Sequence, residues 1–363
     1  MKIVFTGGHH NSALVVALLL KKKGHKVFWF GHKHTMQREK SLSAEYLEIR
    51  GNNIPFFEIK TGKFYKTYNI SQFFKIIFGF FQSLSLLLRI KPDFIVSFGS
   101  YVAFPVVLAG ILLKIPFLVH EQTMQAGLTN RLVACFAKKI FITWQSSSKF
   151  FPKNKTELIG LPIKRDFFSG QKMSLFKNSL QTIFIIGGKQ GSHLINCLVE
   201  EVLPQLLSKY NLIHQTGRIE KTGDFERLLK KKNLLSPDLQ ERYLIKPYFF
   251  GEEMTNLLSS ADFVISRSGA HIIYELCVLG KPAILIPISW SYKHEQLINA
   301  LMLKKLGIAE VLMEKGLTGL ILLKIIDNFF CNIKKQYKNV SEAKKIVFKD
   351  AAERMVSFIE KKN

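Results

Sequence analysis

Short runs of β-branched and aromatic residues alternate along the chain with longer amphipathic stretches, and glycine stands at the junctions. Residues 1–5 read as a buried strand, and Thr6-Gly7-Gly8 turns it into a helix from about 11 to 23. Residues 26–30 form the next strand. Residues 94–97 form another, followed by Gly99 and a helix through Leu113, and 117–120 and 139–143 continue the series. Strands of this length separated by helical lengths predict βαβ units and a parallel sheet. The pattern restarts at 182–186, which runs into the glycine turn 187–191 and a helix to about Ser208. Further strands are predicted over 212–215, 243–245, 263–266 and 283–286. Each half opens with strand, glycine turn and helix, so the expected fold is α/β, with two doubly wound Rossmann-like domains. A strand ends at the break Gly160-Leu161-Pro162, and 341–362 reads as one last amphipathic helix. The expected division is 1–163, 164–340 and 341–363.

Composition narrows the class. The chain has 363 residues, 47% hydrophobic and 22% charged, which excludes a disordered or collagen-like protein and allows two sizeable cores. The formal net charge is +25. It is uneven: residues 1–165 carry 24 Lys/Arg against 7 Asp/Glu, and the remainder carries 28 against 20. Such an excess calls for an anionic partner: nucleic acid, an anionic membrane face or a phosphorylated ligand. The cysteines (Cys135, Cys197, Cys277, Cys331) are far apart, with no C-x-x-C pair and no metal-spaced histidine near them. They read as buried thiols of a reducing compartment, and no metal site is expected. The apolar run 13–20 follows two glycines and two histidines and precedes three lysines, the wrong charge order for a signal peptide. The most apolar stretch, 70–88, is interrupted by Lys75, two glutamines and three serines, so a crossing helix is not expected and a helix lying on a membrane surface stays open.

Four turns fit anion binding at the edge of a parallel sheet: Thr6-Gly7-Gly8, Gly99-Ser100, 187–191 and Ser268-Gly269-Ala270. None is a nucleotide fingerprint. The first lacks G-x-G-x-x-G, and the third contains Lys189 but not a G-K-[ST] ending. Glu275, about two turns into the helix that opens at Gly269, is placed to accept hydrogen bonds from the vicinal hydroxyls of a ribose, or is a solvated helical glutamate. His120-Glu121-Gln122 ends a strand in three polar residues, as a ligand contact or a turn cap. His9, after the first glycine turn, could act as a general base or be structural.

Together these residues resemble the MurG family, the UDP-N-acetylglucosamine transferases that complete the lipid-linked disaccharide precursor of peptidoglycan. The matching segments run in order along nearly the whole chain: TGGH at 6–9, GSYVAFP at 99–105, HEQTMQAGLTNRL at 120–132, GLPIKR at 160–165, IIGGKQGS at 185–192, IHQTG at 213–217, EEM at 252–254, ADFVISRSGAHIIYEL at 261–276, LGKPAILIP at 279–287 and HEQLINA at 294–300. The resemblance implies a GT-B fold, two Rossmann-like domains facing across a cleft, with a C-terminal helix returning to the first. It implies an inverting transferase that needs no cofactor or metal. The donor UDP-GlcNAc would lie mainly on the second domain. The acceptor, a polyprenyl-pyrophosphoryl-muramyl-pentapeptide, would lie on the first.

Carried over by position, His9 is the candidate base for the acceptor 4-hydroxyl. Thr6, Gly7 and Gly8 would leave room for donor or acceptor phosphates. Lys189, Gln190 and Gly191 would face the donor diphosphate. Ala270, His271, Ile272 and Glu275 match the donor-binding turn, with Glu275 on the ribose. Gln296, beside Glu295, would hold sugar hydroxyls, and Phe249 and Phe250 would border the uracil. Thr123 and Lys164 complete the donor set; Gly99, Ser100, Tyr101, His120 and Glu121 belong to the acceptor side. Val4 and Phe5 stand where the family has further glycines, Ser12 replaces a proline, Thr123 an asparagine, Lys164 an arginine and Lys189 a serine. A polyprenyl acceptor implies peripheral work at the cytoplasmic membrane face. Phe73, Phe74, Lys75, Ile77, Phe78 and Phe81, rimmed by Lys60, Lys63, Lys66, Arg89 and Lys91, suit an anionic membrane surface, although at least half of the aromatics are expected to pack on the sheet. The rivals are a related transferase acting on diacylglycerol or another polyprenyl-linked sugar, and a basic nucleic-acid-binding protein. No nucleic-acid-binding module is found, so nucleic acid is not an expected partner.

Overall fold

A computed structural model gives two compact units, Met1–Lys164 with Phe348–Asn363, and Arg165–Val347. The structure describes residues 1–34, 42–62, 70–188, 190–218 and 222–361; Lys63, Lys66 and Lys189 lie outside them.

The first unit contains β1 (Lys2–Thr6), α1 (His10–Lys22), β2 (Lys26–Gly31), α2 (Ala44–Gly51), β3 (Phe56–Glu58), α3 (Ile70–Ile90), β4 (Phe94–Ser97), α4 (Ser100–Leu112), β5 (Phe117–Glu121), α5 (Leu128–Val133), β6 (Lys139–Ile142) and β7 (Thr156–Leu158). Its seven-stranded sheet has the order β3-β2-β1-β4-β5-β6-β7, and every pair is parallel. Helices cover both faces, so the central strands read as unbroken apolar runs. Side chains still alternate between faces: Ile3 and Phe5 join a core with Val16, Leu20 and Trp29, whereas Val4 joins Ile95, Val106 and Val119 on the other face. Gly24 ends α1 at φ +87, and the amides of Gly24 and His25 bond the carbonyls of Lys21 and Leu20.

Helix α3 buries its smaller residues. Ile76, Gly79, Ser83, Leu87 and Ile90 face the unit, and a Cβ on Gly79 would lie 2.9 Å from Cβ of Thr61. Gln82 donates to the Glu58 carbonyl and accepts from the Lys60 amide. The larger residues point outward. Of the aromatics at 73, 74, 78, 80 and 81, only Phe80 is not exposed, which corrects the expectation that at least half pack on the sheet. By length and composition α3 is the one helix among the described residues that could cross a membrane.

The second unit contains β8 (Thr182–Ile186), α6 (His193–Glu201), α7 (Leu203–Lys209), β9 (Asn211–Gln215), α8 (Asp224–Asn233), α9 (Pro237–Glu241), β10 (Tyr243–Lys246), α10 (Gly251–Ser260), β11 (Phe263–Ser266), α11 (Ala270–Leu279), β12 (Ala283–Leu285), α12 (Glu295–Lys305), β13 (Ala309–Val311), α13 (Gly319–Cys331) and α14 (Ile333–Lys345). Its sheet, β10-β9-β8-β11-β12-β13, is also parallel throughout. The chain then returns to the first unit, where α15 (Ala351–Glu360) packs Ala351, Ala352, Met355, Val356 and Ile359 into the core that includes α1. Burying three such large apolar side chains stabilises the docking by roughly 1.5–3 kcal/mol each.

Two helical expectations need correction. The helix predicted to run to about Ser208 is α6 and α7, broken at Val202, because Pro204 near the start of α7 has no N–H to continue the ladder. The single helix predicted over 341–362 is the end of α14 and then α15. The expected boundary after 340 falls inside α14, whereas the units divide between Val347 and Phe348. One straight helix could not serve both cores, since α14 packs on α11 and α15 on α1.

Candidate functional site

In each sheet the strand order reverses at one place, between β1 and β4 and between β8 and β11. Open α/β sheets bind ligands at the carboxyl ends of strands flanking such a reversal. The helices leaving these four strands are α1, α4, α6 and α11, and none has an acidic residue in its first turn. Of the helices that follow the other strands, α2, α8, α10 and α12 do (Glu45, Asp224 with Glu226, Glu252 with Glu253, and Glu295), whereas α3, α5 and α13 do not. The first-turn N–H groups of α1, α4 and α11 also receive no side-chain cap. Uncapped N–H groups and the positive end of the helix dipole are the chemistry of an anion site.

At the first switch point, Gly7 has φ +134 and a Cβ there would lie 2.9 Å from the Gly99 carbonyl oxygen. Gly8 donates its N–H to that oxygen at 3.3 Å. Gly99 (φ +75) presses on the Asn130 amide, and Ser100 opens α4 at φ +76, a conformation an L-residue adopts only with strain. His9 occupies the position before α1, makes no side-chain cap hydrogen bond to it, and is half-buried. Burial pulls its pKa below 6.5, against the raising effect of Glu121, and His10 lowers it further. His120 is fully buried; its Nε2–H donates to the Gly160 carbonyl at 3.0 Å, and burial pushes its pKa down to about 4. Both imidazoles are therefore neutral at pH 7.

Glu121 organises the loop that follows β5. One carboxylate oxygen accepts from the Thr123 amide (2.8 Å) and hydroxyl (2.6 Å), the other from the Gly127 amide (2.8 Å) and Asn130 Nδ2 (2.9 Å). Four buried polar atoms at this edge have no hydrogen-bond partner among the described residues: Thr6 Oγ1, His120 Nδ1, Gln122 Oε1 and Asn130 Oδ1. Three are acceptors and one is a hydroxyl, an edge suited to ligand O–H or N–H groups. Tyr101 is half-buried, its ring 5.1 Å from that of His32, and burial together with Glu45 pushes its phenol up to about 12.

At the second switch point the glycines at 187, 188 and 191 shape the end of β8, and a Cβ on Gly187 would collide with the Ser192 amide. Gly188 (φ +95), Gly191 (φ +85) and Gly217 (φ +71) are left-handed, and a Cβ on Gly191 would collide with the Thr216 carbonyl. Gln215 joins two turns, accepting from the Phe249 amide at 3.0 Å and donating to the Gly188 carbonyl at 3.4 Å. Arg267 donates to Ser192 Oγ (3.0 Å) and the Ile286 carbonyl (3.0 Å) and pairs with Glu314 at 2.8 Å. Glu314 in turn accepts from the Ser289 amide and hydroxyl, which, with the Arg267 pair, hold its carboxyl below the usual range against the opposing effect of burial. Ser268 donates to the Gln296 carbonyl, and the Gln296 side-chain oxygen accepts from the Ile288 amide at 3.1 Å. Behind the glycine turn, Asn196 donates to the Thr216 carbonyl (3.0 Å) and to Asp224 (2.8 Å), while its oxygen faces His214, whose other nitrogen faces the Tyr243 hydroxyl at 2.9 Å.

The structure gathers Thr6, Gly7, Gly8, His9, Gly99, Ser100, His120, Glu121 and Thr123 at the first edge. It gathers Gln190, Gly191, Phe249, Ala270, His271, Ile272, Glu275 and Gln296 at the second. Glu275 and His271 are half-buried on α11, Phe249 is buried with its ring 6.1 Å from that of Phe184, and Gln190 is exposed. Lys164 is exposed and ends the first part of the first unit. Sequence reasoning gave no role to Asn130, Gln215, Arg267 or Asn196. Asn130, Gln215 and Arg267 stand inside segments already singled out, so the signal was present; the pairing of Asn196 with Asp224, 28 residues away, has no sequence signature.

The chain is similar to known proteins along nearly its whole length. The sequence profile of the glycosyltransferase family 28 N-terminal domain matches residues 4–142, and that of the family 28 C-terminal domain matches 182–355. A UDP-N-acetylglucosamine–N-acetylmuramyl-(pentapeptide) pyrophosphoryl-undecaprenol N-acetylglucosamine transferase of Clostridium botulinum (strain Langeland) is 33% identical, covering 94% of this chain and 95% of the relative. One of the same name from Clostridium perfringens (strain ATCC 13124) is 34% identical, covering 95% and 94%. The crystal structure of Acinetobacter baumannii MurG superposes with a TM-score of 0.74 at 24% identity, covering 99% of both chains, which shows the fold. With both halves of the family 28 signature in order and curated relatives above 30% identity along nearly its whole length, the chain belongs to the MurG family of glycosyltransferases.

Proposed function

We propose that the chain transfers N-acetylglucosamine from UDP-GlcNAc, with inversion, to the 4-hydroxyl of a lipid-linked N-acetylmuramyl-pentapeptide pyrophosphate, the step that completes the peptidoglycan disaccharide precursor. The observation that carries this reading is the 33–34% identity to transferases of that name over 94–95% of the chain. The donor diphosphate lies against the N-termini of α6 and α11, where acid-free first turns and left-handed glycines let phosphate oxygens approach the backbone. Glu275 accepts from the ribose hydroxyls, Gln296 holds the sugar, and the backbone at Phe249 borders the uracil. Arg267 positions these turns, since its guanidinium is occupied by Ser192, the Ile286 carbonyl and Glu314.

His9 removes the proton from the attacking hydroxyl. Its depressed pKa keeps the imidazole neutral and able to accept at pH 7. Charge developing on the departing UDP meets fixed N–H dipoles, which need no reorganisation during transfer. The acceptor-rich edge formed by Thr6, His120, Gln122 and Asn130 receives sugar hydroxyl or amide donors.

The protein docks on the cytoplasmic face of an anionic membrane through α3. Ile70, Phe73, Phe74, Ile77, Phe78 and Phe81 are exposed on it, Leu108, Leu112, Leu128 and Leu132 are exposed on α4 and α5, which pack in sequence beside it, and Lys60, Lys75, Arg89 and Lys91 supply exposed charge. A patch of this kind is uncommon on a soluble surface, and each basic residue near the lipid adds roughly 1 kcal/mol. Nucleic acid is not a partner on this reading. The test is transfer of labelled N-acetylglucosamine from UDP-GlcNAc to the muramyl lipid and, in parallel, to diacylglycerol. Product on the muramyl lipid alone is expected; product on diacylglycerol alone, or on neither, overturns the assignment.

A further inference from the structure

At the start of α6, beside the glycine turn of the second switch point, His193, Cys197 and Asp224 bring ligand atoms within 4.8 Å of one another. His193 and Cys197 are four residues apart on α6, so they share a face of the helix. This histidine spacing corrects the reading of the cysteines as having none nearby. Cys197 Sγ lies 3.6 Å from His193 Nε2 and 3.7 Å from Nδ1. Nitrogen and sulfur bound to one tetrahedral zinc ion, at about 2.0 and 2.3 Å, sit about 3.5 Å apart. The imidazole is already oriented: it pairs through Nδ1 with the buried Asp224 carboxylate at 2.8 Å, which places the proton there and leaves the Nε2 lone pair outward. Carboxylates play this part behind metal-bound histidines.

We propose that His193 and Cys197 form a surface site for a zinc-class divalent transition-metal ion, with Asp224 as the positioning carboxylate and water completing the coordination. Binding forms an Sγ–metal bond and releases the thiol proton to solvent. Because Sγ is nearly equidistant from the two ring nitrogens, it lies over the ring; the half-exposed Cys197 side chain turns about its Cα–Cβ bond to meet an ion in the ring plane. The charged groups facing the site are Asp224, Glu200 and Arg227. Arg227 lies 3.7 Å from Sγ and 2.9 Å from Asp224, and Glu200 pairs with it at 2.7 Å. Two carboxylates against one guanidinium leave net negative charge for a cation; burial, with Asp224 and Glu200 against the lowering effect of Arg227, raises the pKa of the Cys197 thiol, so the metal must displace its proton.

The test is titration of the untagged full-length protein with cobalt(II), followed by competition with zinc(II). A thiolate-to-cobalt charge-transfer absorption that saturates at one ion per chain and is bleached by zinc is expected. Cys197→Ser should abolish it, and His193→Gln should weaken binding at least tenfold. Asp224→Asn should weaken it about 10–100-fold if the carboxylate positions the ring. No absorption in the unmodified protein overturns the site, and so does absorption that persists in Cys197→Ser, which would place the thiol at Cys135, Cys277 or Cys331. Retained circular dichroism in Cys197→Ser and His193→Gln separates loss of the site from loss of fold.

Discussion

Replacing Gly191 by alanine perturbs the donor turn through backbone geometry alone. Gly191 is left-handed (φ +85), which disfavours an L-residue by roughly 1–2 kcal/mol. Its new Cβ would also fall inside contact distance of the Thr216 carbonyl, which is backbone and is held by Asn196, so the turn must move by about 1 Å to restore ordinary contact. A displacement of that size at a positioning element is enough for about a hundredfold loss of rate. UDP-GlcNAc KM, or kcat/KM where KM is out of range, should therefore change by about 10–100-fold, while the midpoint of thermal unfolding falls modestly. Gly24→Ala is the matched control. Gly24 is equally left-handed (φ +87), but a Cβ there meets nothing within 4 Å and it ends α1 at the opposite edge of the other sheet. It should lower stability by about 1 kcal/mol and leave KM unchanged. Steady-state transfer assays beside thermal unfolding read both quantities. Gly191→Ala with KM and kcat/KM like those of Gly24→Ala would refute the assignment of this turn to the donor.

Other expectations are independent of that turn. His9→Ala should cut turnover far more than it weakens UDP binding measured by calorimetry, and comparable turnover would remove His9 from the mechanism. Because partial burial lowers the His9 pKa, the acid limb of kcat/KM should fall below pH 6.5; a limb above 6.5 would contradict a neutral base at this position. His120 and His214, held at about 4 and about 3 by burial, bind protons in the unfolded chain first. Their contribution is thus intact above pH 6.5 and lost as pH falls below it, at up to about 1.4 kcal/mol per pH unit for each, so urea midpoints should drop steeply from pH 6.5 to 4. A flat midpoint there would mean that these rings ionise in the folded state. Phe74→Ser with Phe78→Ser should release the protein from anionic vesicles in flotation while leaving thermal unfolding unchanged, since both rings are exposed; undiminished flotation would discard the α3 docking face.

The central strands were legible because burial on both faces forces continuous apolar runs, as in β4 and β8. The edge strands β3, β7 and β13 were not: at three residues each, they are too short to show a period. The break before α7 was readable at Pro204, whereas the break before α15 carries neither glycine nor proline and follows from the chain changing cores. Helix α3 misled in another way. Apolarity suggested burial of its aromatics, yet the close approach of Thr61 selects the narrow Gly79–Ser83 face for the inside. At the candidate site, glycine turns and helix starts were visible because they are local. The Glu121 loop is also local, its partners all lying within nine residues, but which atoms a carboxylate satisfies needs coordinates. The buried chain from Tyr243 through His214 and Asn196 to Asp224 joins four elements and has no linear signature.

Co-crystallisation with UDP asks most directly whether the second switch point holds the donor. The account predicts pyrophosphate oxygens within hydrogen-bonding distance of backbone amides in 188–192 and 269–271, with the ribose hydroxyls on Glu275. A nucleotide bound elsewhere on the chain, with those amides facing only solvent, would contradict it.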